Sequence, residues 1–311
     1  MLARDSIEFF LVAERGILER QALLLCSSIR TFAGAYGSAA ITVLSPRRDR
    51  RPSPATVKAL ERLEAEYLEI NLSSPCPSYG PSFKVLAAAH VERRQGAPIL
   101  VQLDSDTLFA GEPDLDLEGF EVAARPVDVK GMCTAGSGDE FDPYWRQLCR
   151  LCEVDYDRMP FVKTTVDRET VRANYNGGLV AVRRDRGIFE RTENFFARLT
   201  AARLKPWPGR ESYKTGTGHV DAEASEYWGT SQAALAVAIA AGGGSARILP
   251  ASHNVPLHSF DCLPPTAEPP VHIHYHWLCS DGEVSSNPML DGRMALPPET
   301  VDWLKQRVPL H

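Results

Sequence analysis

Short apolar runs alternate with segments of helical period along the first hundred residues. SIEFFLVAE (residues 6–14) is a nearly continuous apolar run, suited to a strand buried on both faces. ILERQALLLCSSIRTF (17–32) follows with apolar residues at helical spacing. ITVLSP (41–46) reads as a second short strand, and SPATVKALERLEAEY (53–67) as a helix with Ser53 at its N-cap. YLEINL (67–72) is a third strand, FKVLAAAHVERRQ (83–95) a helix and APILVQLD (97–104) a fourth strand. Four strands separated by three helices predict a parallel sheet with helices on its faces.

The regularity then falls off. FEVAARPV (120–127) is a strand candidate, YWRQLCRLCEV (144–154) has helical spacing, and MPFVKTTV (159–166) is irregular. NYNGGLVAVRR (174–184) reads as a turn entering a strand, and GIFERTENFFARLTAARL (187–204) as a helix with an aromatic and leucine face. The stretch WPGRESYKTGTGHVDAEASE (207–226), rich in Pro, Gly and charge, has the length of a lid or acceptor loop. SQAALAVAIAA (231–241) is a helix ended by Gly242, Gly243 and Gly244. ARILP (246–250) and VHIHYHW (271–277) are strand candidates, and PETVDWLKQRV (298–308) is amphipathic. No repeat, linker or composition break divides the chain. The expectation is one α/β domain over 1–311, residues 1–110 forming a nucleotide-binding half and 111–311 a less regular half.

Composition narrows the functional classes. With 44% hydrophobic and 24% charged residues a substantial core can form. A net charge of -6 argues against a nucleic-acid footprint. Without a stretch of 18 apolar residues or a secretory leader in MLARDSIEFF, the chain is expected to be soluble and cytoplasmic. The seven cysteines are odd in number and scattered, so free buried thiols are expected. Cys149 and Cys152 form a C-x-x-C at helical spacing with no second pair, which favours a structural role. The run from Arg47 to Arg51 is either a solvated loop or a contact to an anionic acceptor or membrane surface.

The chemistry concentrates in three places. Asp104 and Asp106 are two residues apart, so on an extended backbone they share a side, at the C-terminal end of a strand where open α/β sheets bind ligands. Two converging carboxylates repel unless a cation sits between them, and a hard divalent ion, Mg²⁺ or Mn²⁺, is the natural partner. The plain alternative is a polar turn. His272, His274 and His276 alternate, so on a strand all three face one side, where a metal or a phosphate would use them. A histidine with two aspartates makes a mixed nitrogen and oxygen site that suits Mn²⁺. Asn176, Gly177 and Gly178 let the backbone approach a ligand closely, or form an ordinary turn.

In order along the chain, IEFFLVAE, Lys84 in the helix before the motif, LVQLDSDTLF, YNGGLVAVRR, a Gln-containing helix, LPASHNVP and the late histidine strand resemble the GT-A fold glycosyltransferases. The motifs are most similar to the glycogenin-like retaining group, over roughly residues 6 to 277. The resemblance implies a GT-A type, Rossmann-like, mostly parallel sheet flanked by helices, with a C-terminal acceptor half. It implies a metal-dependent, hexosyltransferase-like enzyme that moves a sugar from a nucleotide-sugar, a UDP-sugar first among them, to an unidentified acceptor hydroxyl. Asp104 and Asp106 would be the Asp-x-Asp that holds Mn²⁺ (or Mg²⁺) against the diphosphate. His274 would be the third ligand, with His276 the alternative if the register is shifted by two. Ala13 and Glu14 would lie beside the nucleobase, Lys84 and Ser105 at the donor phosphates or sugar, and Asn176, Gly177 and Gly178 along the sugar pocket. Gln232 would sit near the anomeric carbon.

Two departures matter. Ser231-Gln232 stands where such enzymes often carry Asp-Gln, which leaves the donor sugar open. Asp221, Glu223 and Glu226 could supply a general base, so an inverting route stays open beside the retaining one. The rival classes fit less well. A haloacid-dehalogenase-type phosphatase would place Thr or Val at the fifth motif position, where Leu108 stands, and its motif after the first strand. A nucleotidyltransferase would want a glycine-rich loop where VAERGILER stands. A GT-A-like binding protein without turnover is the non-enzymatic alternative.

Overall fold

The alternating apolar and amphipathic segments of the N-terminal third form the predicted order. It runs β1 (Ile7–Val12), α1 (Ile17–Phe32), β2 (Ala40–Ser45), α2 (Pro54–Arg62), β3 (Ala65–Glu69), α3 (Pro81–Arg93) and β4 (Ile99–Leu103). The computed structural model describes residues 6–117, 119–215, 218–244, 246–264, 268–276 and 287–307. After β4 come β5 (Thr107–Phe109), β6 (Val122–Pro126), α4 (Asp142–Leu151), β7 (Phe161–Lys163), β8 (Thr170–Arg172), β9 (Tyr175–Arg183) and α5 (Ile188–Ala201). The remainder holds β10 (Tyr213–Thr215), β11 (Gly218–Val220), α6 (Ala222–Glu226), α7 (Thr230–Ala241), β12 (Arg247–Ile248), β13 (Val255–Pro256), β14 (His272–His274) and α8 (Pro298–Lys305).

The central sheet has the order β12-β6-β9-β4-β1-β2-β3. Its neighbours pair in parallel except around β9, which is antiparallel to both β4 and β6. The reversal sets Leu179 of β9 opposite Leu103, so the first residues of β9 lie at the C-terminal edge of β4. The sheet is apolar on both faces because both are covered. Phe9 and Leu11 of β1 and Val101 of β4 pack with Leu25 and Ile29 of α1. Phe10, Leu100 and Val180 face the other way, among α3, α5 and α7. The many alanines of α7, such as Ala233, Ala234 and Ala238, are fully buried there, because short side chains let this helix pack closely on its neighbours.

A second, three-stranded sheet has the order β13-β14-β5. β14 runs antiparallel to β5, with His274 opposite Thr107 and His272 opposite Phe109. This pairing carries the histidine strand to the two aspartates.

Several boundaries differ from the sequence reading, each for a local reason. Helix α2 keeps Ser53 as its cap, Ser53 Oγ accepting from Thr56 N at 3.2 Å, but stops at Arg62 rather than continuing to residue 67. Glu64 is left-handed, with φ of 54°, which turns the chain so that Ala65 pairs with Ile41. Sheet pairing there outweighs helical continuation, and the third strand accordingly starts at Ala65. Asn176–Gly178 are already inside β9 rather than in a turn before it. Gly242 stays right-handed, and Gly243, with φ of 79°, takes the left-handed position after α7. The 207–226 stretch is not a plain loop, since it contains the β10–β11 hairpin and α6; Gly216 and Thr217 lie outside the described residues, as do Trp277 and Val308.

Among the described residues the cysteines are free, and Cys149 and Cys152 are buried, their thiols pushed up to about 12 by burial. That suits packing rather than thiolate chemistry. The Arg47–Arg51 run is divided: Arg47 turns inward, while the exposed Arg48 and Arg51 approach Glu69 at 3.9 and 3.7 Å.

One buried carboxylate joins α3 to α5. Gly187 at the start of α5 has no side chain to cap it, and Glu92 Oε2 accepts from Glu190 N at 2.7 Å instead. Burial pushes the Glu92 carboxyl from 4.5 up to about 7. Because the folded value is the higher, this group's contribution is complete below about pH 4.5 and is lost as pH rises through 7, by about 3 kcal/mol in all. Glu92→Gln keeps an acceptor for the Glu190 amide and deletes the titration. The variant is expected to match the parent near pH 5 and to exceed it by about 2 kcal/mol at pH 8, measured by urea denaturation at both values.

Candidate active site

Strand β4 leaves the sheet at Asp104, where the backbone reverses. Asp104 N donates to Gly178 O at 3.1 Å and Thr107 Oγ1 donates to Asp104 O at 2.7 Å, so the turn into β5 is pinned from both sides. Asp104 and Asp106 project into the opening. Ser105, between them, points the other way: its hydroxyl bonds Gln21 of α1 at 3.3 Å and it is buried. Ser105 is therefore part of the scaffold on the far side of the turn.

β14 then places imidazoles on Asp106. His274 Nε2 lies 3.3 Å from Asp106 Oδ1 and 4.0 Å from Asp104 Oδ2. His276 Nδ1 lies 3.2 Å from Asp106 Oδ2. Tyr275, fully buried between the two histidines in sequence, donates its backbone N–H to Asp106 O at 3.0 Å. Burial opposes charge on Asp106, but His274 and then His276 outweigh it and hold the carboxyl far below its usual range. Burial likewise opposes charge on His274, and Asp106 outweighs it, so this imidazole titrates above its ordinary value.

The three histidines do not share one environment. His272 faces the same side of β14 as His274, but that side passes from the opening into the core within two residues. His272 is fully buried, meets the Phe109 ring edge-on at 4.6 Å, and its ring nitrogens have no hydrogen-bond partner among the described residues. Burial holds it well below its ordinary pKa, so it is neutral. His276 reaches Asp106 because its backbone turns left-handed, with φ of 48°, which folds the ring back over His274. A non-glycine residue there costs on the order of 1 kcal/mol or more.

Lys84 comes from α3. Its Nζ donates to Asp104 Oδ1 at 2.5 Å and to Gly177 O at 3.3 Å. The glycines of β9 are required by these approaches. A Cβ on Gly177 would lie 2.7 Å from Lys84 Nζ, and one on Gly178 would lie 2.4 Å from Asn254 Oδ1 and 2.7 Å from His274 Nδ1. Asn176 Oδ1 accepts from Gly178 N at 2.9 Å, which fixes the strand entry. Gln232 of α7 borders a narrow space of ≈ 20 Å³ with Lys84, Gln102, Gly177 and Ser231, room for about one water. Ser231 is turned onto the buried Tyr79 hydroxyl at 2.9 Å and offers no carboxylate.

Ala13 and Glu14 follow β1 directly. Ala13 is fully buried, its N–H donating to Leu44 O at 2.9 Å. Glu14 is buried and accepts from Arg47 Nε at 2.7 Å, and the Arg47 guanidinium covers the Phe83 ring at 4.4 Å. Arg47 of the basic run is thus drawn inward, against Glu14 and Phe83.

Two further residues were missed. Asp128 follows β6, at the C-terminal edge of another parallel strand, and accepts from Thr165 Oγ1 at 2.9 Å and Asn176 Nδ2 at 3.0 Å. Burial raises its pKa. The strand-end rule that found Asp104 applies equally to the RPVD stretch. Asn254, in LPASHNVP, is buried and left-handed, with φ of 47°. Its amide nitrogen and oxygen, like His274 Nδ1 nearby, have no hydrogen-bond partner among the described residues. Each such buried group costs about 1–3 kcal/mol, and their gathering over Gly178 marks a place where polarity serves something other than stability.

A family model described as "Rhodobacterales glycosyltransferase domain" matches residues 9–208. The chain belongs to this family. The matched part of the glycosyltransferase includes Lys84, Asp104, Asp106, Asp128 and Asn176–Gly178, and ends before Gln232 and the histidine strand. No curated protein matches the chain. Among solved structures, the galactosyltransferase LgtC in complex with donor and acceptor sugar analogues is similar at 12% identity and a TM-score of 0.52, over 97% of this chain and 100% of that one. An active-site mutant of LgtC is similar at 13% identity and a TM-score of 0.51, over 98% and 97%. At such identity the likeness shows the fold, and the fold of this glycosyltransferase is GT-A. The phosphatase and nucleotidyltransferase readings are set aside by the family match.

Proposed function

We propose that this glycosyltransferase moves a sugar from a nucleotide-diphosphate sugar, a UDP-sugar first among them, to an acceptor hydroxyl, with a divalent cation and with retention at the anomeric carbon. The observation that carries the reading is the convergence of Asp104 and Asp106 after β4, Lys84 from α3 and His274 from β14 at the C-terminal edge of the sheet. The donor set fits a cation: a carboxylate between imidazoles and a second carboxylate beside it. Asp104, Asp106 and His274 would hold Mn²⁺ (or Mg²⁺), whose chemistry there is electrostatic stabilisation of a diphosphate leaving group.

The chain's own groups supply the rest. The Lys84 ammonium neutralises negative charge at the same opening. Gly177 and Gly178 leave the backbone bare for close approach, and Asn176, held by Asp128, offers polar contacts to sugar hydroxyls. Gln232 faces the same space beside Gly177. Retention is supported by the fate of the other carboxylates. Asp221 caps α6 through Ala224 N at 2.9 Å, Glu223 accepts from Ser78, and Glu226 is paired with Lys205 and Gly209 N. With these engaged elsewhere, and Asp128 bonded to Thr165 and Asn176, the acceptor proton passes to an oxygen of the departing phosphate rather than to a carboxylate base.

Because both halves of the chain contribute to this opening, we read residues 1–311 as one GT-A-like unit, with the hairpin and α6 of the 207–226 stretch toward the acceptor. No described helix is long and apolar enough to cross a membrane. A cytoplasmic enzyme whose exposed Arg48, Arg50 and Arg51 meet an anionic surface is the corresponding expectation.

A thermal-shift series with UDP-, GDP- and dTDP-sugars in the presence of Mn²⁺ tests the donor class, since a ligand that binds only the folded state raises its melting point. A UDP-sugar is expected to give the largest rise. A flat response to every nucleotide would remove the basis of the proposal.

A further inference from the structure

We propose that Arg125 and Arg168 form an anion-recognition point beside Asp128, and that the acceptor carries an acid group, a carboxylate or a phosphate monoester, near the hydroxyl it offers. The acceptor assignment rests on the sugar-transfer reading above, whereas the anion site stands on its own residues.

Arg125 lies where the pairing of β6 with β9 breaks. Ala124 is opposite Val180 and Pro126 is opposite Tyr175, so Arg125 falls in the irregularity between them. Such breaks re-aim a side chain, often beside an active site. The guanidinium turns toward the end of β12, and its one hydrogen bond among the described residues is long, from Nη1 to Leu249 O at 3.5 Å. Its Nε is buried without a partner. Asp128 is the carboxylate whose charge it feels, yet both Asp128 oxygens are taken, Oδ1 by Thr165 Oγ1 at 2.9 Å and Oδ2 by Asn176 Nδ2 at 3.0 Å. Burial holds the Arg125 guanidinium below its ordinary pKa; Asp128 works against that and Arg168 reinforces it. Arginine keeps its proton in proteins, so the result is a half-buried cation with donors to spare. A charge so placed is costly until an anion meets it.

Arg168 supplies the second cation. It sits exposed in the turn between β7 and β8, left-handed with φ of 62°. Thr165 N donates to Val127 O at 3.1 Å and Val166 N to Asp128 O at 2.8 Å, which fastens this turn to the segment carrying Arg125 and Asp128. The neighbouring Asp167 is engaged by Lys130 N and Thr164 Oγ1. His253, also close to Arg125, is held neutral by burial, its pKa down at about 4. The place is separate from the diphosphate. Lys84 bonds Asp104 at the end of β4, and β9 stands between β4 and β6 in the sheet. An anion at Arg125 is therefore a second one, on a molecule that approaches from the β6 side. Guanidinium donors in a fixed fork match the oxygens of a carboxylate or a phosphate.

The test uses the full chain, stripped of metal and returned to chelator-free buffer, with its arginine Nε–H resonances followed by NMR. The probes are methyl glucoside, methyl glucuronide and a methyl glucoside phosphate. At least one acid is expected to bind about tenfold or more tightly than the neutral glucoside, and to shift the Arg125 resonance. The tighter of the two names the acid. Arg168→Gln should weaken that binding about tenfold and leave the neutral glucoside unchanged. Arg125→Lys keeps the charge without the fork and should weaken it as well. Lys84→Met, across β9, should leave it within about twofold. Arg168 is exposed, so its variant decides the matter even if Arg125→Lys folds poorly. Equal binding of acids and glucoside overturns the anion site, as does acid binding that survives in Arg168→Gln without moving the Arg125 resonance. Among glycans that accept sugar, those bearing an acid are expected to lose about tenfold in kcat/KM when a carboxylate is reduced or a phosphate removed by phosphatase. Acceptors that serve equally well without their acid overturn the acceptor assignment. Failure of the nucleotide-sugar reading would show differently, as no nucleotide binding or release with acid binding at Arg125 intact.

Discussion

Replacing both Asp104 and Asp106 with Asn is expected to lower nucleotide release from the donor by about a thousandfold or more, close to 4 kcal/mol of transition-state stabilisation. The argument is one of charge. Asn keeps the size and some hydrogen bonding of Asp but removes two negative charges from the one place where His274, His276 and Lys84 converge. What remains is an opening without the two carboxylates that face His274 and Lys84, Asp128 being tied to Thr165 and Asn176. The fold should survive, because Thr107 binds the backbone carbonyl of Asp104 and Tyr275 donates to that of Asp106, and neither contact uses a carboxylate. Circular dichroism and melting of the double variant check that point, and nucleotide release with and without Mn²⁺ checks the loss. Metal-dependent release that persists in the double variant would place the site elsewhere.

The second large effect is at Lys84. Lys84→Met keeps the apolar stem in α3 and removes the ammonium that bonds Asp104 Oδ1 and Gly177 O. Loss of one preorganised charge from such a site costs about a hundredfold to a thousandfold in kcat. Lys84→Arg is not expected to rescue it, because the Gly177 backbone is so near that a Cβ there would lie 2.7 Å from Nζ, leaving no width for a guanidinium. Steady-state kinetics separate the two: a fall in kcat in both variants fits the account, and full activity in Lys84→Met contradicts it.

The N-terminal third was readable because its strands are buried on both faces and therefore appear as unbroken apolar runs, and Asp104 was found because it ends one of them. The end of α2 was not, since nothing in SPATVKALERLEAEY announces that Glu64 turns left-handed to start a strand. The reversed β9 was hidden for a different reason. Paired glycines usually signal a turn, yet here they thin a strand so that Lys84, His274 and Asn254 can lie across it. Period-two alternation placed His272 and His274 correctly on one face, but could not say that the face passes from the opening into the core. Nor could it show that His276 returns through a left-handed residue. Asp128 obeyed the rule already applied to Asp104 and was overlooked because the segment after β6 lacks helical regularity.

The central claim is metal-dependent cleavage of a nucleotide-sugar at the cluster formed by β4, α3 and β14. The most direct measurement is nucleoside diphosphate release from a panel of UDP-, GDP- and dTDP-sugars by the purified chain, in Mn²⁺, in EDTA, and after Mn²⁺ is restored. The account predicts release from a UDP-sugar in Mn²⁺, its loss in EDTA and its recovery on readdition. Release that is indifferent to EDTA would contradict it, as would no release from any member of the panel by chain that is folded and metal-loaded.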